Sequence, residues 1–351
     1  MDDPSLDALQ VIVPNLHWRY SGVTATNRMI APLLARLLPT AWLGRDGPGA
    51  VAQMSLRDLL RLRFRRSRAL VIWHARRNNE MLVGLLLKAL GWPLALVFTS
   101  AAQRHHTWVT RFLIARMDGV IAASEAAASY LTRLATVIPH GIDIARFAPV
   151  PDREAAYAAT GLPGKYAIGC FGRVRAQKGT DIFVEAMCRL LPKYPDFTAI
   201  VIGPVTLEQR TFDAGLKERA RAAGLSARVL FLGELPAEEI PRWHQRLLIY
   251  AFTSRVEGYG LTLLEAMASG TALVATRAGA AEQVVREGET GFLVAPGDAD
   301  ALANAIEPLM RDPARAAEMG RKGRERAASE FAIDAEAEKI AVFYRQMWQR
   351  G

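Results

Sequence analysis

Two cysteines, Cys170 and Cys188, are all that 351 residues contain. Neither stands in a Cys-x-x-Cys pair, so a disulfide scaffold and a cysteine-built metal site are excluded, and a reducing compartment is expected. Long apolar runs are missing as well. The richest stretches, 81–90 and 94–98, are interrupted by Lys88 and Pro93, well short of the roughly 20 residues that cross a bilayer. The opening Met1-Asp2-Asp3-Pro4-Ser5-Leu6-Asp7 is acidic, where an export signal needs a basic start before an apolar stretch. A cytoplasmic protein is expected. What is abundant is apolar material, 51% of the chain against 23% charged, which excludes disorder and leaves enough core for two domains.

Charge is unevenly spread. Residues 1–150 carry 18 basic and 9 acidic side chains, a net of +9, while residues 151–351 carry 26 of each. The densest part holds Arg57, Arg61, Arg63, Arg65, Arg66 and Arg68, interleaved with Leu56, Leu59, Leu60 and Phe64 at helical spacing. An amphipathic helix with that cationic margin suits an anionic membrane surface. The plainer alternative is a helix packed on the core by its leucines with solvated arginines. No helix-turn-helix, zinc-finger spacing or aromatic RNA-binding strand accompanies the patch, so no nucleic-acid partner is expected.

Short apolar runs alternate with amphipathic stretches throughout. Strands are predicted at 9–13, 69–73, 94–98, 119–123 and 136–138, with helices such as 80–90, 107–117 and 125–134 between them. The pattern restarts after Pro139-His140-Gly141-Ile142-Asp143 and Ala148-Pro149-Val150-Pro151, with strands at 166–171, 198–202, 229–232, 248–252, 271–275 and 291–294. Buried strands with crossover helices make parallel sheets. The expected fold class is therefore α/β, two doubly wound Rossmann-like domains at 1–150 and 151–334 facing a central cleft, with a ligand at the carboxyl ends of the strands.

Two clusters carry chemistry. In Gly172-Arg173-Val174-Arg175-Ala176-Gln177-Lys178-Gly179-Thr180-Asp181, a strand ends at Gly172 and a helix begins near Gly179 or Thr180. Guanidinium, ammonium and unpaired backbone N–H groups then converge, and a diphosphate is the natural occupant; a solvated loop capped by Thr180 or Asp181 is the plainer alternative. In Glu257-Gly258-Tyr259-Gly260-Leu261 through Glu265, glycines turn a loop into a second helix start. Glu257 sits in the loop and Glu265 about two turns into the helix, too far apart to pair. They could hold two sugar rings of one extended ligand, or be a surface charge and an ordinary helix residue. Asp298-Ala299-Asp300 reads as a helix cap, and no metal motif is apparent.

Together, in this order and spacing, Gly-Arg-x4-Lys-Gly and Glu-x7-Glu resemble glycosyltransferase family 4, retaining enzymes of the GT-B architecture. Pro139-His140-Gly141-Ile142-Asp143, Gly279 to Glu282 and Glu289-Thr290-Gly291-Phe292-Leu293-Val294 extend the resemblance over most of the chain. It implies that Arg173 and Lys178 bind the donor diphosphate, Glu257 the transferred hexose and Glu265 the ribose. It also implies that Gly172, Gly258, Tyr259, Gly260 and Leu261 line the donor, with Gly22 approaching it from the other domain. His74 would stand near the hexose, although a histidine at a strand end is by itself more often a hydrogen-bonded structural group. Ser21 replaces one of two glycines common in the family, and Ala278-Gly279-Ala280 keeps one glycine of a glycine-rich turn. A last helix, about 335–351, is expected to pack on the first domain.

More narrowly, Pro14-Asn15, Arg19-Tyr20-Ser21-Gly22-Val23-Thr24, Ala75-Arg76-Arg77-Asn78-Asn79-Glu80-Met81 and Gln103-Arg104-His105-His106-Thr107 look like the lipopolysaccharide core mannosyltransferases of alpha-proteobacteria. That resemblance implies GDP-mannose as donor substrate; no cofactor is expected, and with no carboxylate metal motif in the sequence the transfer is expected to be metal-independent. The acceptor would be an anionic glycolipid at the Kdo region, touched by Arg76, Arg77, Arg104, His105 and His106. The enzyme would sit at the inner face of the cytoplasmic membrane through the arginines from Arg57 to Arg68. The alternatives are an epimerase or hydrolase of the same architecture, and a nonenzymatic basic protein bound to membrane or nucleic acid.

Overall fold

The computed structural model describes residues 5–17, 22–67 and 69–350. The chain forms two units, one running to His140 and resuming at Ile333, the other spanning Gly141–Ala332. The division falls at 140/141 and 332/333, not at 150/151 and 334/335. Segment 141–150 belongs to the second unit for a physical reason. The Ile142 N–H donates to the Phe331 carbonyl at 2.8 Å, and the Phe147 ring meets His244 edge-on at 5.9 Å.

The first unit contains β1 (Val11–Asn15), α1 (Gly22–Leu37), β2 (Thr40–Gly44), β3 (Ala52–Met54), α2 (Leu56–Leu62), β4 (Val71–Ala75), α3 (Asn78–Ala89), β5 (Leu94–Ser100), α4 (Trp108–Ala115), β6 (Gly119–Ala122), α5 (Glu125–Ser129) and β7 (Thr136–Val137). Its sheet is parallel, in the order β3-β2-β1-β4-β5-β6-β7. Successive side chains of a strand point to opposite faces, and the core divides accordingly. Ile12, Trp73, Leu96 and Phe98 pack with Leu59 and Leu62 of α2, Met81 of α3 and Leu113 and Ile114 of α4. Val11, Ile72 and Val97 pack on the other face with Ile30 and Leu34 of α1.

Strands β2 and β3 are absent from the sequence reading. Between Ile30 and Leu43 the chain is apolar apart from Arg36 and Thr40, with prolines at 32 and 39, so no polar turn separates the end of α1 from β2, and β3 is only three residues long. The helix expected at 125–134 ends at Ser129. The arginine-rich segment is helical only to Leu62, started by a capping box in which Ser55 Oγ accepts the Asp58 N–H and the Asp58 carboxylate accepts the Ser55 N–H at 3.1 Å.

The second unit contains α6 (Arg153–Ala158), β8 (Tyr166–Phe171), α7 (Thr180–Leu190), β9 (Phe197–Ile202), α8 (Arg210–Ala222), β10 (Val229–Gly233), α9 (Ile240–Arg246), β11 (Leu247–Phe252), α10 (Leu261–Ala268), β12 (Ala272–Thr276), α11 (Ala281–Val284), β13 (Gly291–Val294), α12 (Ala299–Arg311) and α13 (Pro313–Glu330). Its parallel sheet has the order β10-β9-β8-β11-β12-β13. Asp298 caps α12 by accepting the Ala301 N–H at 2.8 Å, as its position in the sequence suggests. The last helix, α14 (Ile333–Arg350), returns to the first unit. Ile333, Ala337, Ile340, Ala341 and Tyr344 bury against the α1 face of that sheet, and the Trp348 indole N–H donates to the Leu70 carbonyl at 2.9 Å.

Both sheets are doubly wound. Chain order reverses between β1 and β4 in the first and between β8 and β11 in the second, and such a switch point opens a crevice at the carboxyl ends of the two strands.

Candidate functional site

In the second unit, the loops leaving β8 and β11 stand side by side at the switch point, because those strands are neighbours. Backbone and side chains lace the loops together. The Arg255 N–H donates to the Gln177 carbonyl at 2.8 Å, the Gln177 amide to the Val256 carbonyl at 3.2 Å, and the Thr253 hydroxyl to the Lys178 carbonyl at 2.9 Å. The Arg255 guanidinium grips Asp181, at the start of α7, with bonds of 2.8 and 2.7 Å. Gly179 is required here. Its φ is +68°, and a Cβ would lie 1.9 Å from the Thr253 carbonyl oxygen. Gly179, not Thr180 or Asp181, occupies the N-cap of α7, and it supplies no side-chain cap.

This lacing brings the two sequence clusters together. The Lys178 ammonium forms an ion pair with Glu257, whose carboxylate also accepts the Gly258 N–H at 3.1 Å and the Ser254 hydroxyl at 3.3 Å. Arg173 is exposed beside them, after Gly172, and has no hydrogen bond or ion pair among the described residues. It stands on a fixed base, since Val174 next to it is buried. Gly260, at φ +94°, turns the loop into α10, which begins at Leu261. Tyr259 is buried, and its carbonyl accepts the Ala280 N–H at 2.7 Å. The one glycine kept in the turn 278–280 is the one the geometry needs: a Cβ on Gly279 would approach the Tyr259 carbonyl to 2.5 Å.

Glu265 does not meet Glu257. Its carboxylate lies 3.2 Å from Nε2 of His244, a fully buried ring packed against Phe171 and Tyr250. Nothing in the sequence singles out His244, a lone histidine ahead of an apolar strand; its role appears only when α9 packs beside α10. Below the loops, burial pushes the Cys170 thiol up to about 11, so it stays protonated and is no nucleophile.

In the first unit, Gly22 opens α1 beyond β1 and is exposed; Arg19, Tyr20 and Ser21 lie outside the described residues. His74, implied by the resemblance to stand near a hexose, is 2% exposed. Its Nδ1 is 2.5 Å from the Tyr344 hydroxyl and its Nε2 2.6 Å from that of Thr99, so both ring nitrogens are engaged inside the unit. Burial, with the positive Arg76 nearby, holds its pKa well below the usual value.

Arg76 is half-buried, near the carboxylates of Glu336 and Glu80, and burial lowers its pKa. Arg77 is a brace. It donates to Asn15 at 3.0 Å, Thr24 at 2.8 Å and the fully buried Glu80 at 3.1 Å, tying α3 to β1 and α1. Burial raises the pKa of Glu80, opposed by the Arg76 N–H and by Arg77. Arg104 and His105 are exposed on the loop after β5, with His105 edge-on to Tyr130. His106 is half-buried, 3.3 Å from the Ser100 hydroxyl, and burial lowers its pKa. The five residues thus share the carboxyl end of one sheet, but Arg77 is committed to structure.

Among the described residues, no three His, Cys, Asp or Glu side chains gather where a metal could sit, and no helix is long and apolar enough to cross a membrane.

A cation-lined turn at the switch point of a doubly wound unit is where nucleoside diphosphates bind, and a chain built of two such units has the architecture of the GT-B glycosyltransferases. The sequence profile of the family described as "Glycosyl transferases group 1" matches residues 152–326. The lipopolysaccharide core biosynthesis mannosyltransferase LpcC of Rhizobium leguminosarum bv. viciae is 48% identical over 98% of both chains. Its counterpart LpsB of Rhizobium meliloti is 45% identical over 97% of this chain and 98% of that one. The chain belongs to the glycosyl transferases group 1 family. The fold is shared with Anabaena Alr3699/HepE, solved in complex with UDP, at a TM-score of 0.83 and 22% identity over 96% of this chain and 100% of that one.

Proposed function

We propose that this glycosyltransferase moves mannose from GDP-mannose onto an anionic, lipid-linked acceptor of the lipopolysaccharide core, with retention and without a metal ion. The observation that carries the donor half is the convergence of Arg173, Lys178, Glu257 and the start of α10 at one switch point. The near full-length likeness to two enzymes named as core mannosyltransferases supports the sugar and the pathway.

As the bond from the sugar to the diphosphate breaks, negative charge grows on the leaving phosphate and positive charge on the anomeric carbon. Arg173 and Lys178 meet the first, assisted by the backbone N–H groups at the helix starts. Lys178 is paired with Glu257. An arriving diphosphate replaces that partner, and Glu257 is released to accept hydroxyl hydrogen bonds from the hexose. Glu265, held by His244, takes the ribose hydroxyls. The acceptor hydroxyl attacks from the face the diphosphate leaves, and its proton passes to a phosphate oxygen, so no enzymic nucleophile is needed. Arg76, Arg104, His105 and His106 are the acceptor-side groups, in an enzyme that works at the inner face of the cytoplasmic membrane.

The test is calorimetric titration with GDP, UDP and ADP, without added metal, repeated for Lys178→Ala. Selective GDP binding that the variant loses is expected. Preference for UDP would discard mannose, and absence of nucleotide binding would discard the transferase reading.

A further inference from the structure

The arginine-rich helix does not lie as its pattern suggests. Leu59 and Leu62 face the core, while Leu56, Leu60 and Phe64, spaced four apart, project into solvent with Phe64 80% exposed. The neighbouring helix repeats this arrangement: Leu82 and Leu86 on α3 and Leu90 at its C-cap, again four apart, are exposed. On α4, Trp108 and Phe112 are exposed at the same spacing, with Trp108 at 73%. All three helices cover one face of the first sheet, since Leu59, Met81 and Leu113 share a single core cluster. Three apolar ridges therefore stand on the outer side of one layer. A folded surface helix ordinarily keeps that side polar, and exposed apolar ridges on three helices of one layer point to a docking surface.

Charge selects the occupant. Arg57, Arg61, Arg63, Arg66, Arg111 and Arg116 are exposed among the ridges. The guanidinium of Arg116 lies 3.4 Å from the centre of the Phe112 ring, and that of Arg63 5.6 Å from the Phe64 ring. From Ser55 to Met117 the only carboxylates are Asp58 and Glu80; the first is locked in its capping box and the second is buried. A second copy docked face to face would set arginines against arginines. Nucleic acid would meet the cations but leave the leucines in water. A lipid leaflet with anionic headgroups meets both: aliphatic side chains enter the acyl boundary, aromatic rings lie at headgroup depth, and arginines reach back to phosphates.

We propose that the outer side of α2, α3 and α4 is a monotopic membrane-docking face for anionic lipid, with apolar insertion by Leu60, Phe64, Leu86, Trp108 and Phe112 as essential as the arginines. This deepens the membrane-surface part of the reading above and rests on that part alone, so a failed donor assignment leaves it standing.

The experiment is cosedimentation of the full chain with vesicles of phosphatidylglycerol in phosphatidylcholine, and with phosphatidylcholine alone. Wild type is compared with Leu60→Ser/Phe64→Ser and Leu86→Ser/Phe112→Ser, circular dichroism verifying the fold and GDP titration verifying the donor site. Binding is expected only to the anionic vesicles, weakened by salt, and at least tenfold weaker in each double variant while GDP affinity is unchanged. Binding by the variants equal to wild type would overturn the insertion, and equal binding to neutral vesicles would overturn the charge argument. A wild-type dimer that both variants convert to monomer, without vesicle binding, would assign the face to a second copy instead.

Discussion

The ammonium of Lys178 is paired with the carboxylate of Glu257, 79 residues further along the chain. Each belongs to a different loop, and each is partly open to solvent. The pair is a poised site more than a brace, because a partly exposed ion pair contributes about 1 kcal/mol or less to stability. Lys178→Ala should therefore leave the melting temperature nearly unchanged and cut turnover at least tenfold, about 1.4 kcal/mol of barrier. Glu257→Gln, which removes a negative charge beside the phosphates, should bind GDP at least as tightly as wild type yet transfer slowly. Calorimetry with initial rates separates the two, and weaker GDP binding in Glu257→Gln would contradict the exchange of partners.

Arg173 has no partner among the described residues to lose, so its removal should cost no stability. Arg173→Ala is expected to lower turnover by at least tenfold, with Arg173→Lys recovering only part, since a point charge cannot replace a two-pronged donor. Unchanged kinetics in the alanine variant would remove Arg173 from the diphosphate site.

His244 holds Glu265 from inside the core. His244→Phe keeps an aromatic ring against Phe171 and Tyr250 but gives up the hydrogen bond. Its GDP dissociation constant should rise about fivefold, roughly 1 kcal/mol, while affinity for inorganic pyrophosphate stays the same. Equal losses for both ligands would mean that the substitution disturbs the phosphate loops and not the ribose contact.

Arg77 faces a carboxylate that has no access to water. Arg77→Ala should destabilise the protein by about 3–5 kcal/mol, the consequence of taking the ion-pair partner from a buried carboxylate, and the double change with Glu80→Gln should recover much of it. Denaturant midpoints measure both. A loss under about 1 kcal/mol would return Arg77 to the candidates for direct acceptor contact.

His74 gives a pH dependence with a definite sign. Its folded-state pKa is held well below 6.5, so below pH 6.5 the unfolded chain binds a proton that the folded chain refuses. Stability then falls as pH falls from 6.5 toward the folded-state value, by at most about 1.4 kcal/mol per pH unit, and above 6.5 the group contributes no slope. His74→Gln should flatten the difference in unfolding free energy between pH 7.5 and 5.5. An identical difference in both proteins would show that other groups carry the acid sensitivity.

The sequence by itself determined the architecture, the strands that bear the site and the two clusters. Buried parallel strands are short apolar runs, and loops that must approach phosphates or one another are written in glycine and basic residues, as at Gly172-Arg173 and Lys178-Gly179. Local pattern also determined that Glu257 and Glu265 could not meet. Only the tertiary structure decided their partners. Lys178 reaches Glu257, and His244 reaches Glu265, because β8 lies beside β11 and α9 beside α10, relations that no spacing along the chain encodes. The same holds in the first unit. His74, Arg77 and Leu59 have the residue types of a catalytic, an acceptor-binding and a membrane-facing group. Packing closed His74 between Thr99 and Tyr344, spent Arg77 on Glu80 and turned Leu59 inward, leaving Leu56, Leu60 and Phe64 outside. Periodicity reports that a helix has an apolar stripe; which stripe meets the core is decided by the sheet beneath it.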